Sequence, residues 1–276
     1  MARKTRKVRK SRKALHSRKQ RGGDSKTVIK HLTAFNNSDS HPGCFFSVNE
    51  VNIEKDNKVL IIGPRYPKQT DADYKSAKYP YEEGLFFFNM DFPPKYPNEP
   101  PHMQFVNSAF YDDNFRYHPN LYEFFGGAAS NGKVCLSILG TWQGPGWTSD
   151  MNIESVLTTV QSLLGPNPIH NEPGFERLTQ EDARLLAYNH KATYRTIKFT
   201  LDTYKRVFEE AEDKLPPNIQ PFVEDLKTRA FAAMKFFARK LALLKKQTPK
   251  TTFQHEFHHP ATVSYTHLTL PTKRIV

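Results

Sequence analysis

Apolar positions along this chain fall into distinct regimes, and each regime predicts a different kind of element. Residues 1–23 carry few apolar side chains and end on Gly22-Gly23. Such a stretch cannot bury enough surface to offset the entropy of ordering, so a disordered tail is expected over residues 1–25. Val28, Leu32 and Phe35 then recur at the three-to-four spacing of one helix face, which predicts a short helix over 26–35. Four aromatic or β-branched runs follow at 44–48, 59–62, 85–92 and 103–106, bounded by Asn, Asp, Gly and Pro. They predict an antiparallel meander. Residues 65–79, polar and interrupted by Pro67, read as a surface loop between the second and third strands.

Helical periodicity returns at 151–164, where Ile153, Val156, Leu157, Val160, Leu163 and Leu164 share a face that should pack on the sheet. A longer pattern over 181–213 places Tyr194, Ile197, Leu201, Tyr204 and Phe208 on one seam. The Leu215-Pro216-Pro217-Asn218-Ile219-Gln220-Pro221 stretch interrupts it, and 222–247 resumes it through Val223, Leu226, Ala230, Met234, Phe237, Leu241 and Leu244. The expected class is α+β: a four-stranded antiparallel meander with flanking helices over 26–180, a C-terminal helical extension over 181–247, and a tail over 248–276. From Val263 the chain resembles the translation of a sequencing-adapter end, so 263–276 is set apart from the functional reading.

Charge changes this picture at one end only. Residues 1–26 hold twelve Lys or Arg against the single acid Asp24, a surplus of +11 within a total of +12, so the rest of the chain is nearly neutral. The tail has two open readings: a solvated solubility segment, or a nuclear-localisation or nucleic-acid patch that releases counterions from phosphates. No run approaches the roughly 18 apolar residues of a membrane span, and the basic N-terminus lacks a signal peptide's apolar core. An intracellular protein, cytoplasmic or nuclear and without membrane contact, is the expectation. Only Cys44 and Cys135 occur, far apart and without a Cys/His cluster, which argues against structural zinc and against a disulfide framework. Neither a metal nor a bound cofactor is expected. Cys44 lies in a strand-like aromatic run and reads as an inert core thiol.

The segments that carry chemistry occur in a fixed order: Pro80-Tyr81-Glu82-Glu83-Gly84, Tyr96-Pro97-Asn98-Glu99-Pro100-Pro101, His118-Pro119-Asn120, and Asn131-Gly132-Lys133-Val134-Cys135 with Leu136-Ser137-Ile138-Leu139 and Trp142 behind it. Together they resemble the ubiquitin-conjugating enzyme family, above all the catalytic domain of its large hybrid conjugating enzyme/ligase type, over about 26–247. That resemblance implies the ubiquitin-conjugating fold. It also implies that Cys135 takes ubiquitin or a ubiquitin-like protein as a thioester from an activating enzyme, which uses ATP upstream, and passes it to a lysine of a substrate protein. A separate ligase, or ligase character built into this chain, fits the same reading.

By the same resemblance Asn120 donates to the oxyanion or holds the loop that does, while His118 and Pro119 fix its turn. Tyr96, Pro97, Pro100, Pro101 and Trp142 are architectural. For the family's acidic residue opposite the cysteine the candidate is Glu172, with His170 and Asn171 beside it; a helix-terminus carboxylate with only structural work is the other reading. Asn98 stands where ligase-binding members often carry Phe, and 124–130, beginning Phe124-Phe125, is an insertion between Asn120 and Cys135. The insertion could shield the thioester, grip a partner or pack on the sheet. Thiol chemistry suits the assignment, because sulfur is both a good nucleophile and a good leaving group for acyl exchange. Two other readings remain: an inactive ubiquitin-binding variant domain, and a nucleic-acid-associated protein acting through its tail.

Deleting residues 1–23 is expected to weaken any RNA or DNA binding and to remove most of its salt dependence, because nearly all of the net charge lies there. Full binding by the truncated chain, measured by fluorescence anisotropy across a salt series, would place the basic surface elsewhere.

Overall fold

The computed structural model describes residues 25–38, 43–107, 116–122, 132–247, 251–255, 258–263, 265, 268 and 270. Of the tail expected over 1–25 only Ser25 is described, at the start of a helix; 1–24 and the 124–130 insertion, with Phe124 and Phe125, lie outside the described residues. Helix α1 (Ser25–Asn37) buries Val28, Leu32 and Phe35, the three positions its periodicity marks. The meander follows as β1 (Cys44–Ser47), β2 (Asn57–Ile62), β3 (Leu85–Asp91) and β4 (His102–Phe105), antiparallel in the order β1-β2-β3-β4. Within 65–79, read as loop, a short helix α2 (Asp71–Lys75) forms. Its N-cap is Thr70, whose side chain and that of Asp73 close a capping box. The Thr-x-x-Asp signature is visible in the sequence, but five residues leave too little periodicity to announce a helix.

Helix α3 (Ile153–Leu163) starts at Asn152, which caps it reciprocally with Ser155. Helix α4 (Ala183–Glu209) starts at Asp182 and ends four residues short of the sequence expectation, and α5 (Val223–Gln247) begins beyond the proline-rich break. Strands β5 (Thr251–His255) and β6 (His258–Val263) form a separate hairpin beside α4. Tyr265 and Leu268 are buried against the helical extension; their packing does not bear on the origin of 263–276.

Alternation along β2 and β3 divides the interior in two. Val59, Ile61, Phe86, Phe88 and Met90 face α1 and α3 and join Phe105, Leu121, Val134 and Leu136 in one core. Leu60, Ile62, Leu85 and Phe87 face the other way and meet Ile197, Leu201 and Tyr204 of α4 and Leu226, Phe237 and Leu241 of α5. Because β3 runs Leu-Phe-Phe-Phe with both faces apolar, one layer of helices would leave half of it wet. The extension supplies the second layer. Helix α4 serves both cores, Leu185, Tyr188 and Ala192 in the first and Ile197 onward in the second.

The extension is also tied to the Pro80-Tyr81-Glu82-Glu83-Gly84 turn by buried charge. Lys240 of α5 donates to Glu82 Oε2 at 3.1 Å and to the Tyr79 carbonyl at 3.0 Å. Glu82 also accepts from the Tyr66 backbone N–H at 2.9 Å and Gln69 Nε2 at 2.7 Å. Burial nevertheless pushes the Lys240 ammonium below its ordinary pKa, against the pull of Glu82 and Glu83. Desolvation outweighs the attraction at this ammonium, and a buried ion pair of this kind is weak evidence for stability.

Lys240→Ala, which strands Glu82, is expected to cost about 3 kcal/mol in urea denaturation. Lys240→Met combined with Glu82→Gln should recover most of that loss; a double variant as unstable as the single one would show the pair to be a net stabiliser.

Candidate active site

The segment bearing Cys135 hangs on the edge of the meander. Lys133 bridges Gln104 of β4, Val134 bridges Leu121, and Gly132 accepts at its carbonyl from the Phe105 N–H at 2.7 Å. Gly132 has φ +66°, and a Cβ there would lie 2.3 Å from the Phe105 carbonyl oxygen; only glycine lets the chain approach so closely. Cys135 follows at the point where pairing ends. Its N–H donates to the Asn120 carbonyl at 2.8 Å, and the Asn120 side-chain Nδ2 donates back to the Cys135 carbonyl at 2.8 Å. The residues 120 and 135 are thus locked together by two reciprocal bonds despite the insertion between them. Asn120 Oδ1 is buried and has no hydrogen-bond partner among the described residues.

His118 sets the turn that makes this possible. It is fully buried, and its Nδ1 accepts from the Asn120 N–H at 2.9 Å. That bond places the ring proton on Nε2, which faces the Asn171 side chain at 3.2 Å. The Leu163 backbone also hydrogen-bonds the ring, which works against the effect of burial. Burial pushes the His118 pKa down to about 3, so the ring is a neutral spacer with no proton to trade near neutral pH. Tyr81 continues the chain of contacts by donating its hydroxyl to the Tyr117 carbonyl at 2.6 Å.

Glu172 lies beyond a short 3₁₀ turn (Pro168–Asn171) whose N-cap, Asn167, adopts φ 48°. Asn167 is held by a backbone bond to Lys78 and by Asn189 of α4 at 2.9 Å. Arg116 meets Glu172 here: its Nη1 donates to Glu172 Oε2 at 2.9 Å and to the Pro119 carbonyl at 3.2 Å, and its guanidinium lies over the Tyr122 ring at 4.4 Å. His170 turns away, with Nε2 facing the Leu178 carbonyl at 3.0 Å. Arg116 was not singled out in the sequence, because a lone arginine in a polar stretch carries no spacing signal.

Cys135 is only 1% exposed. Burial raises the pKa of its thiol, the positive charges of Lys133 and Arg116 pull it down, and Glu172 adds to the rise. Cys44, also raised, to about 11 by burial alone, has no such cations acting on it. Among the described residues no His, Cys, Asp or Glu cluster could hold a metal ion.

Of the residues expected to be architectural, Tyr96 is buried, its peptide bond to Pro97 is cis, and its hydroxyl meets His31 Nδ1 at 2.6 Å. Pro101 is buried and Pro100 half-buried at the entry to β4. Trp142 requires correction. It is 47% exposed, whereas Trp147 packs on the first core, lies 6.1 Å from the Tyr96 ring and donates Nε1 to the Pro97 carbonyl at 2.6 Å. The Gly140 turn, with φ 67°, and the Thr141 hydroxyl, which bonds back to the Val134–Leu136 backbone, steer the chain outward at 142. The structural tryptophan is thus reached five residues later.

A family model described as ubiquitin-conjugating enzyme matches residues 73–198. The chain is 41% identical over 136 residues to ubiquitin-conjugating enzyme E2 Z of Homo sapiens, covering 49% of this chain and 32% of that protein. It thus spans about a third of that relative's length. To ubiquitin-conjugating enzyme E2 2 of Kluyveromyces lactis it is 31% identical over 172 residues, 62% of this chain and 81% of that one. A solved Toxoplasma gondii ubiquitin conjugating enzyme domain aligns at 22% identity with a TM-score of 0.43, over 64% of this chain and 99% of that one.

The two tryptophans give a direct check on the geometry. Trp147→Ala is expected to lower stability by about 2 kcal/mol through lost packing and an orphaned Pro97 carbonyl, while Trp142→Ala should stay within about 0.5 kcal/mol. Reversed magnitudes in chemical denaturation would return the architectural role to Trp142.

Proposed function

This chain belongs to the ubiquitin-conjugating enzyme family, and from that premise we propose that Cys135 accepts the C-terminal carboxyl group of ubiquitin as a thioester and passes it to a lysine amine of a substrate protein. The observation that carries this reading is the reciprocal lock between Asn120 and Cys135, which holds an amide donor beside the one thiol on which two cations act. In the transfer step the amine nitrogen attacks the thioester carbonyl. The C–N bond forms, the C–S bond breaks, the sulfur leaves as thiolate, and the amine's surplus proton departs to solvent or to a nearby carboxylate. Negative charge gathers on the carbonyl oxygen, where one fixed donor is worth about 3 kcal/mol.

An amide NH₂ has two hydrogens, and Asn120 spends one on the Cys135 carbonyl. The second is the donor assigned to the oxyanion. An activating enzyme, a ligase and substrate proteins are the partners this activity requires, and no bound cofactor enters the chemistry. Cys135 as a residue is 1% exposed, so access to its sulfur is part of what the charging experiment measures. The same burial favours the second reading, a domain that binds ubiquitin without accepting it.

Incubation with activating enzyme, ATP and ubiquitin separates the two. A thiol-sensitive adduct is expected that disappears in Cys135→Ala and survives in Cys44→Ser; no adduct on the unmodified chain leaves the binding domain. Asn120→Ala should still charge, yet discharge to lysine about 10²-fold more slowly in single turnover.

A further inference from the structure

Arg116 joins three parts of the site that the sequence supplies separately. Its guanidinium reaches the carboxylate of Glu172, the carbonyl of Pro119 in the turn that carries Asn120, and the face of Tyr122. Its own backbone carbonyl accepts from the Tyr188 hydroxyl of α4 at 3.1 Å, so its root is fixed to the helix that spans both cores. Arginine suits this position because its planar fork can hydrogen-bond in the ring plane while stacking on an aromatic face. Both partners of the ion pair are partly exposed, Arg116 at 32% and Glu172 at 23% of the side chain. That leaves the pair at the rim of the site, where a substrate amine must arrive.

We propose that Arg116 is a positioning residue for acyl transfer: it holds the Glu172 carboxylate against the Asn120 turn and presents it to the incoming lysine as half of an ion pair. This rests on the thioester reading of Cys135. A lone carboxylate at the rim would bind the lysine as ammonium, a form with no lone pair to attack with. An adjacent guanidinium cancels that attraction, so the amine is oriented by a hydrogen bond yet loses its proton near neutral pH. Arg116 thereby tunes two groups in the same direction, since its charge also favours the Cys135 thiolate as the leaving group.

Other charges around the pair have partners of their own or act on the sulfur. Arg184 of α4 pairs with Asp182 at 2.9 Å, Glu176 accepts from the Gly174 N–H at 3.0 Å, His170 faces the Leu178 carbonyl, and His118 is neutral. Lys133 acts on the sulfur alongside Arg116. Among the described residues, Arg116 is the one cation paired with Glu172.

The test uses the full chain in a Cys44→Ser background with Arg116→Ala, Arg116→Lys, Glu172→Gln and the double variant Arg116→Ala/Glu172→Gln. Iodoacetamide alkylation of Cys135 against pH needs no partner protein. Arg116→Ala should move its midpoint up by about half a pH unit, roughly threefold in rate at neutral pH. Arg116→Lys should leave the midpoint in place. Single-turnover discharge of the ubiquitin thioester to free lysine should shift to higher pH in Arg116→Ala and return toward the unmodified profile in the double variant. Arg116→Lys, which keeps the charge but loses the fork, should raise the lysine KM with little change in pH profile. A discharge that falls equally at every pH in Arg116→Ala, uncorrected by Glu172→Gln, would reduce Arg116 to a purely structural residue and overturn the proposal. Should Arg116→Ala fail to fold, Glu172→Gln decides: it should lower the alkylation midpoint, and an unmoved midpoint with unmoved discharge kinetics overturns the proposal equally. An unmodified chain that forms no thioester overturns the enzymatic reading itself, an outcome distinct from a charged chain whose pH profile ignores Arg116.

Discussion

Phe86 and Phe87 are neighbours in the chain, both are 0% exposed, and they point to opposite sides of the same strand. An apolar strand in water on either face would cost about 25 cal/mol for each Å² left uncovered, so β3 requires a layer of helices on both sides. Helices α1 and α3 provide one and α4 with α5 the other. The active-site geometry inherits its rigidity from this double burial. Strand β4 is paired to β3, Gly132 and Lys133 are fastened to β4, and Cys135 is two residues beyond Lys133. Helix α4 packs against both cores and reaches the site again through Tyr188 and Asn189.

Polar groups near the site follow from the same dryness. His118 is held neutral because the core around it disfavours the imidazolium, and a neutral ring has one nitrogen able to accept from the Asn120 N–H. Protonation would remove that acceptor and loosen the turn, so the low pKa is a condition for the geometry and not a catalytic property. Glu82 and Lys240 show the opposite strategy. Lys240 and Glu82 are buried together and hydrogen-bonded to each other and to their surroundings at the point where α5 meets the Pro80–Gly84 turn.

The strands and long helices were legible because period and composition agreed: Val28, Leu32 and Phe35 fall on one buried face, and the Leu-Phe-Phe-Phe run is a strand buried on both sides. What that run left open was the covering of its second face, since alternation marks burial without naming the element that supplies it. The extension accordingly reads as an appendage along the sequence and is half of the interior in the structure. Helix α2 escaped for lack of length, and its only signal is the Thr70–Asp73 box. Trp142 and Trp147 both follow the cysteine, and the Gly140 turn that carries Trp142 outward depends on a positive φ that spacing does not encode. Arg116 was invisible for a related reason. Its partners, Glu172 and Pro119, are 56 and 3 residues away, and only folding makes them one cluster.

Under the proposed transfer, the two roles of Asn120, supporting its loop and donating to an oxyanion, need not compete. The Asn120 Nδ2 bond to the Cys135 carbonyl fixes the amide plane relative to the sulfur-bearing residue. An amide nitrogen is planar, so fixing one N–H direction fixes the other about 120° away. The structural bond is thus what aims the second hydrogen. Losing it would leave a free amide with two hydrogens and no defined direction, and preorganisation is where most of a donor's value in the transition state resides. The buried Asn120 Oδ1, without a partner among the described residues, fits the same account: the side chain's orientation is dictated from the nitrogen side, and its oxygen bears the cost.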